Sequence, residues 1–272
     1  MLTLQEARGD ERLKKYVKLR IAGVNVYYRS YRALSNASLE VNSGEVVSIL
    51  GPNGSGKTTL LRTIARILKP RTGTIYIDSR DVNEMGDREY SKIVGYLPQQ
   101  TAISVPMRVF EVIALGRRPH VKWSLIREDL EKIWEVMKLL GLDLLSYREI
   151  DELSGGERQR VLCAMVLVQE PRILLLDEPI THLDLKYQIE FLELFKKLTK
   201  ENNLITIMAL HDINLAMRYS DKIVLMKNGL VYAVGRPEEI LTPSIIREVF
   251  GVEAEISRNP EPYVVIKGVV KG

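Results

Sequence analysis

The sequence predicts an α/β fold built on a mainly parallel sheet, and three observations predict it. Short apolar runs rich in β-branched residues recur at 46–50, 74–77, 93–97, 173–176, 204–208 and 222–226, with the length and composition of buried strands. Helical or loop stretches separate them, and strands that alternate with helices build parallel sheets. From 101 to 170 the pattern turns helical only, so an all-helical insert is expected within the α/β domain.

In chain order, residues 11–20 are moderately basic and fit a solvated leading segment, while residues 1–15 suggest no task. The apolar run 45–50 leads into Gly51-Pro52-Asn53-Gly54-Ser55-Gly56-Lys57-Thr58-Thr59, and residues 60–68 continue at helical spacing. Three glycines in six residues let the chain turn where side chains would block it, and turn successive N–H groups inward. The spacing Gly51-x4-Gly56-Lys57-Thr58 is that of a phosphate-binding loop. Its backbone N–H groups hold phosphates, Lys57 reaches the outer ones and the Thr58 hydroxyl ligates Mg2+. The helix starting near Lys57 adds its positive dipole end. Kinases, GTPases, helicases and transport motors all hold phosphates in this way, so the loop does not choose among them.

Within the helical insert, residues 105–116 read as a first helix. Residues 127–140 read as a second, with Leu130, Ile133, Trp134 and Met137 on its apolar face, and a third starts at Ser154 and Gly155. Ser154 followed by Glu157 fits a capping box. A serine hydroxyl, the Gly155 and Gly156 amides and a helix start also make a second anion site, and both readings can hold at once. The phosphate loop already surrounds a nucleotide from one side, so this second site serves another molecule. The strand at 173–176 ends in Asp177 and Glu178, where a second Mg2+-facing carboxylate should stand. Asp177 would orient the ion through its water shell, and Glu178 would lie near the attacking water as general base or polariser. His211 ends a further apolar strand, where a lone histidine more often caps or packs than reacts; His120 reads as a surface residue. The chain then runs through a short strand at 230–234, helices begun by Pro237 and Pro243, and an extended piece at 263–270.

Composition narrows the function classes. Lys plus Arg number 39 and Asp plus Glu 35, a net charge of +4 on 272 residues, well short of a nucleic-acid-binding composition. The one cysteine, Cys163, lies in an apolar helical run, which excludes a disulfide scaffold or a cysteine metal cluster and fits a reducing compartment. No apolar segment approaches the roughly 18 residues of a spanning helix, so a soluble protein is expected.

The phosphate loop, Leu153-Ser-Gly-Gly-Glu157 and Ile173-Leu-Leu-Leu-Asp177-Glu178-Pro179, in this order, resemble the ATP-binding subunit of an ABC transporter over nearly the whole chain. The resemblance implies a P-loop ATPase core with an antiparallel β N-terminal part. It implies one ABC ATPase domain: residues 16–100 and 171–234 as core, 101–170 as helical subdomain and 235–272 as C-terminal tail. It implies that Tyr28 stacks on adenine, with Tyr27 as rival; that Gln99, with Gln100 as rival, ligates Mg2+ and senses the membrane partner; and that His211 contacts the γ-phosphate. Thr181-His-Leu-Asp184 matches the segment through which two subunits touch, and His182 would be an exposed loop residue there. Two copies would pair head to tail, with ATP on the loop of one covered by Ser154–Glu157 of the other, at the cytoplasmic face of a membrane and through integral permease subunits. The stretches 109–120, 181–188 and 235–252 are similar to importers of iron chelates, haem and cobalamin, which also use an extracytoplasmic binding protein. A cofactor-assembly ATPase and an importer of another substrate class remain the alternatives.

Overall fold

The computed structural model describes residues 16–99, 106–181, 183–257 and 261–270; Gln100, His182 and residues 1–15 lie outside the described residues. The chain opens with a long hairpin, β1 (Lys18–Tyr28) and β2 (Tyr31–Asn42), turned at Arg29 and Ser30. Three register shifts along it, between Ile21 and Tyr27, break the alternation of buried and exposed residues. β3 (Val46–Leu50) follows, buried at every position, and the phosphate loop joins it to α1 (Lys57–Ile64). β4 (Thr72–Ile77) and the short β5 (Arg80–Asp81) return to the hairpin and complete a four-stranded sheet in the order β2-β1-β4-β5. The apolar run at 74–77 therefore pairs antiparallel with β1 and is not part of the parallel sheet expected for it.

α2 (Asp87–Ile93) leads to β6 (Val94–Leu97), after which come α3 (Val109–Leu115), α4 (Arg127–Leu139) and α5 (Gly155–Leu167) with no strand among the described residues between them. β7 (Ile173–Asp177), α6 (Leu185–Glu201), β8 (Ile205–Ala209), α7 (Ile213–Tyr219), β9 (Lys222–Lys227) and β10 (Leu230–Gly235) resume the α/β pattern. The chain closes with α8 (Pro237–Ile240), α9 (Pro243–Phe250) and the hairpin of β11 (Val252–Ser257) and β12 (Tyr263–Val269). The central sheet has the order β10-β9-β3-β8-β7-β6, in which β9, β3, β8, β7 and β6 run parallel and β10 is an antiparallel edge. Side chains alternate across it. Val47, Ile49, Leu175 and Ile207 pack with α1 and the N-terminal sheet, whereas Leu50, Leu174, Leu176 and Met208 pack with the helical insert, α6 and α7. Crossovers put helices on both faces, so the strand ends at Leu50, Leu97, Asp177 and Ala209 open onto one edge, where α/β sheets bind ligands. No helix among the described residues is long and apolar enough to cross a membrane.

Three helical expectations need correction. α3 starts at Val109 rather than 105, because Arg108 bridges to Glu149 and donates its N–H to Glu111 Oε2 at 2.8 Å, which places the cap there. Leu130 is exposed and Asp129 is buried. Arg117, 3% exposed, donates to Asp129 Oδ1 at 2.9 Å and to Val168 O and Glu170 Oε2, both at 2.7 Å, tying the end of α3 to the start of α4 and the end of α5. His120 is half-buried, its Nε2 2.8 Å from Gln169 O, and burial pushes its pKa down. Replacing Asp129 by Ala leaves a buried guanidinium short of a partner. It should cost about 3–5 kcal/mol, read as a lower denaturant midpoint, and loss of less than about 1 kcal/mol would mean that Glu170 alone suffices for Arg117.

Candidate active site

The loop at 51–56 leaves no room for side chains at two of its glycines. A Cβ on Gly51 would stand 2.2 Å from Met226 O, and one on Gly56, at φ +105°, 3.0 Å from Ala33 O. Gly56 caps α1 without a side chain and no acidic residue stands in the helix's first turn, so the positive end of the dipole faces the loop unneutralised. Lys57 is buried and its ammonium donates to Gly51 O at 2.8 Å and Pro52 O at 3.2 Å. Burial lowers its pKa, against the pull of Glu178 and Asp177. Ser55 Oγ is buried without a hydrogen-bond partner. An ammonium held by neutral carbonyls, an orphan hydroxyl and a bare helix start are together a cradle for anionic oxygens.

This cradle is one wall of a cleft of about 620 Å³. Asn53, Gly54, Ser55, Gly56, Lys57, Thr58 and Thr59 line it together with Tyr28, Tyr31, Gln99, Glu178 and His211. Residues more than a hundred apart in sequence thus meet in one space. Tyr28 and Tyr31 are cross-strand partners at the tip of the first hairpin; Tyr27 instead carries the Arg71 guanidinium 5.1 Å from its ring centre and does not line the cleft. Gly51 and Pro52 lie behind the lining and shape the turn.

Asp177 and Glu178 leave β7 in different directions. Asp177 is fully buried, accepting from Thr58 Oγ1 at 3.0 Å and from the Tyr96 hydroxyl at 3.3 Å. Burial raises its pKa, Thr58 and Tyr96 oppose that, and Glu178 adds to it. Glu178 has φ +53°, a strained conformation for a residue with a side chain and one that gathers at functional sites. Its carboxylate accepts from Gln99 Nε2 at 2.7 Å, and His211 Nε2 lies 2.6 Å from its other oxygen. Thr58, Asp177 and Gln99 offer the hard oxygen donors that suit Mg2+, with Thr58 and Asp177 already in contact.

Ser154, Gly155, Gly156, Glu157 and Asp184 do not join this cleft. Ser154 and Gly155 are exposed at the start of α5, where Ser154 Oγ accepts from Glu157 N at 3.3 Å and Glu157 Oε2 accepts from Ser154 N at 2.9 Å, a complete capping box. Asp184 caps α6 by accepting from Tyr187 N at 3.0 Å. Sequence reasoning missed Tyr31, Tyr96 and Arg62. The first two adjoin residues it singled out, Tyr28 and Gln99, but only the hairpin register and the β6–β7 pairing bring them to the site.

Comparison with known proteins places the chain in a family. The family model described as ABC transporter matches residues 34–181. An uncharacterized ABC transporter ATP-binding protein of Methanocaldococcus jannaschii is 48% identical over 238 residues, 88% of this chain and 93% of that protein. The petrobactin import ATP-binding protein of Bacillus anthracis is 41% identical, over 88% of this chain and 89% of its own. The ferric enterobactin transport ATP-binding protein of Escherichia coli is 36% identical, over 89% and 90%. A solved dimeric ABC transporter cassette superposes with TM-score 0.73 at 31% identity, covering 80% of this chain and 98% of that one. A transporter described as metal-chelate type, in an inward-facing conformation, shares the fold with TM-score 0.80 at 24% identity, over 94% and 98%. With over half its length matched by the family model and relatives aligned along most of it, this chain belongs to the ABC transporter family, as an ATP-binding protein that hydrolyses ATP.

Proposed function

We propose that the chain is the motor subunit of an importer of iron-siderophore, haem or cobalamin type chelates. It works as a head-to-tail pair of copies attached to integral permease subunits at the cytoplasmic face of a membrane, with an extracytoplasmic binding protein delivering cargo. The observation that carries the motor reading is the 620 Å³ cleft, which unites the loop with Glu178, Gln99 and His211 while Ser154 and Gly155 stand exposed outside it. A site split in this way on one chain is completed by a second copy, so that ATP bound at Gly51–Thr59 is covered by the partner's Ser154–Glu157 segment. The petrobactin import and ferric enterobactin transport relatives support import of iron chelates.

In this reading Tyr28 stacks on the adenine, Lys57 and the loop amides hold the β- and γ-phosphates, and Thr58, Asp177 and Gln99 hold Mg2+. The ion would neutralise charge on the phosphates and hold them in line for attack. Glu178 takes the proton of the attacking water, and His211, whose Nε2 lies 2.6 Å from Glu178 Oε1, steadies the γ-phosphate. Asp184 and the segment around it meet the partner copy. Residues 16–100 and 171–234 act as the ATPase core, 101–170 as the helical subdomain that relays closure to the permease through Gln99, and 235–272 as an appended tail.

His211→Ala should leave ATP affinity within about threefold and slow hydrolysis by about 100-fold, the cost of removing one donor aimed at charge that develops in the transition state. A variant that binds ATP poorly but turns over normally when saturated would contradict the role. The import reading is tested by co-expression with a multi-helix permease drawn from the neighbouring genes. The expected product is a membrane complex of two copies of this chain and two permease subunits, whose ATPase rate rises with ferric-siderophore-loaded binding protein. A complex formed only with soluble scaffold proteins would favour cofactor assembly.

A further inference from the structure

A buried carboxylate keeps its charge at low cost only if its oxygens are supplied with donors. Asp177 has two. Thr58 Oγ1 serves Oδ1 at 3.0 Å, and the Tyr96 hydroxyl serves Oδ2 at 3.3 Å. Tyr96 lies on β6 opposite Leu175 of β7, and Leu175 and Asp177, two apart on one strand, share a sheet face. The phenol therefore reaches Asp177 along the surface of the sheet. The Arg62 guanidinium, on α1, stands beside the same phenol, which raises its pKa.

This arrangement has a direction. Arginine donates and never accepts, while a phenol has one proton and free lone pairs. Beside a guanidinium the phenol can offer only its lone pairs, which leaves its proton for Asp177, to which it donates at 3.3 Å. Neither Tyr96 nor Arg62 lines the nucleotide cleft, so neither is placed to touch substrate. They join three elements that matter to it: α1, which starts at the phosphate loop, β6, which runs into Gln99, and β7, which delivers Asp177 and Glu178.

We propose that Tyr96, oriented by Arg62, is a positioning residue: it holds Asp177 Oδ2 so that Oδ1 faces Thr58 and the Mg2+ hydration shell, and ties the strand that leads to Gln99 to the same carboxylate. This rests on the assignment of Mg2+ to Thr58, Asp177 and Gln99. Groups that orient metal ligands from behind typically change metal affinity or activity about 10–100-fold when removed. The relay acts before any chemistry, so equilibrium binding reads it without turnover.

Tyr96→Phe keeps the ring and removes the donor. In the full-length protein, the Mg2+ concentration that half-saturates tight binding of a non-hydrolysable ATP analogue should rise about 10-fold or more, while affinity for the analogue in EDTA stays within twofold of wild type. Arg62→Met frees the phenol to turn and should shift the Mg2+ half-point in the same direction by less. An unchanged half-point in Tyr96→Phe overturns the inference. So does an equal loss with and without Mg2+, which would make Tyr96 a packing residue, and so does a larger shift in Arg62→Met, which would mean that Arg62 acts directly. If the wild-type chain itself shows no Mg2+ dependence, the metal assignment fails first and this inference with it.

Discussion

Lys57→Ala should abolish ATP turnover and weaken nucleotide binding by about 10-fold or more. The ammonium is buried and its described hydrogen bonds go to two neutral carbonyls, Gly51 O and Pro52 O. Burial already works against its charge, so a phosphate oxygen is a better partner than those it has. Hydrogen bonds to charged groups contribute about 1.5–3 kcal/mol each, and every 1.4 kcal/mol is a factor of about ten in affinity. The fold should survive, because Gly51 and Gly56 set the loop's path by themselves and the space that Lys57 vacates opens onto the cleft it lines. Equilibrium binding of a fluorescent ATP analogue and phosphate release by the same preparation decide it. Turnover near wild type would remove Lys57 from the mechanism.

Much of this site was legible because its parts are local. The turn at Gly51, the helix start at Lys57 and the acidic end of β7 each need particular residues next to each other, and a sequence displays neighbours. The parallel strands were legible for a similar reason: β3, β7 and β8 are buried at every position and read as near-continuous apolar runs, broken only by Ser48, Asp177 and Thr206. The first hairpin was not read from periodicity, since its register shifts interrupt the period of two on which such readings depend. Burial of Asp129 in place of Leu130 was hidden too, because it follows from Arg117 reaching across from α3. The contacts of Glu178 with Gln99 and His211, and of Asp177 with Tyr96, join residues from separate strands. Which pairs meet depends on strand order, and composition and spacing do not carry that.

Glu178→Gln should stop hydrolysis and trap the paired state. The substitution keeps size and hydrogen bonding and removes the carboxylate that accepts from Gln99 at 2.7 Å and lies 2.6 Å from His211 Nε2. Loss of a general base costs about 100- to 10,000-fold in rate. If each ATP lies between two chains, a pair that cannot hydrolyse cannot separate. The variant should therefore run as a monomer without nucleotide and as a dimer with ATP and little or no Mg2+, by size-exclusion chromatography with light scattering. Ser154→Arg, added to Glu178→Gln, should abolish that dimer, because Ser154 is exposed outside the chain's own cleft and the longer side chain would intrude on the partner's γ-phosphate. Ser154 also caps α5, a contribution of about 1 kcal/mol. Glu178→Gln with Ser154→Ala loses the same cap without the bulk, and should still dimerise, which separates a weakened helix from a blocked interface. A Glu178→Gln protein that stays monomeric under every nucleotide condition, including with the permease present, would rule out a site shared between two copies.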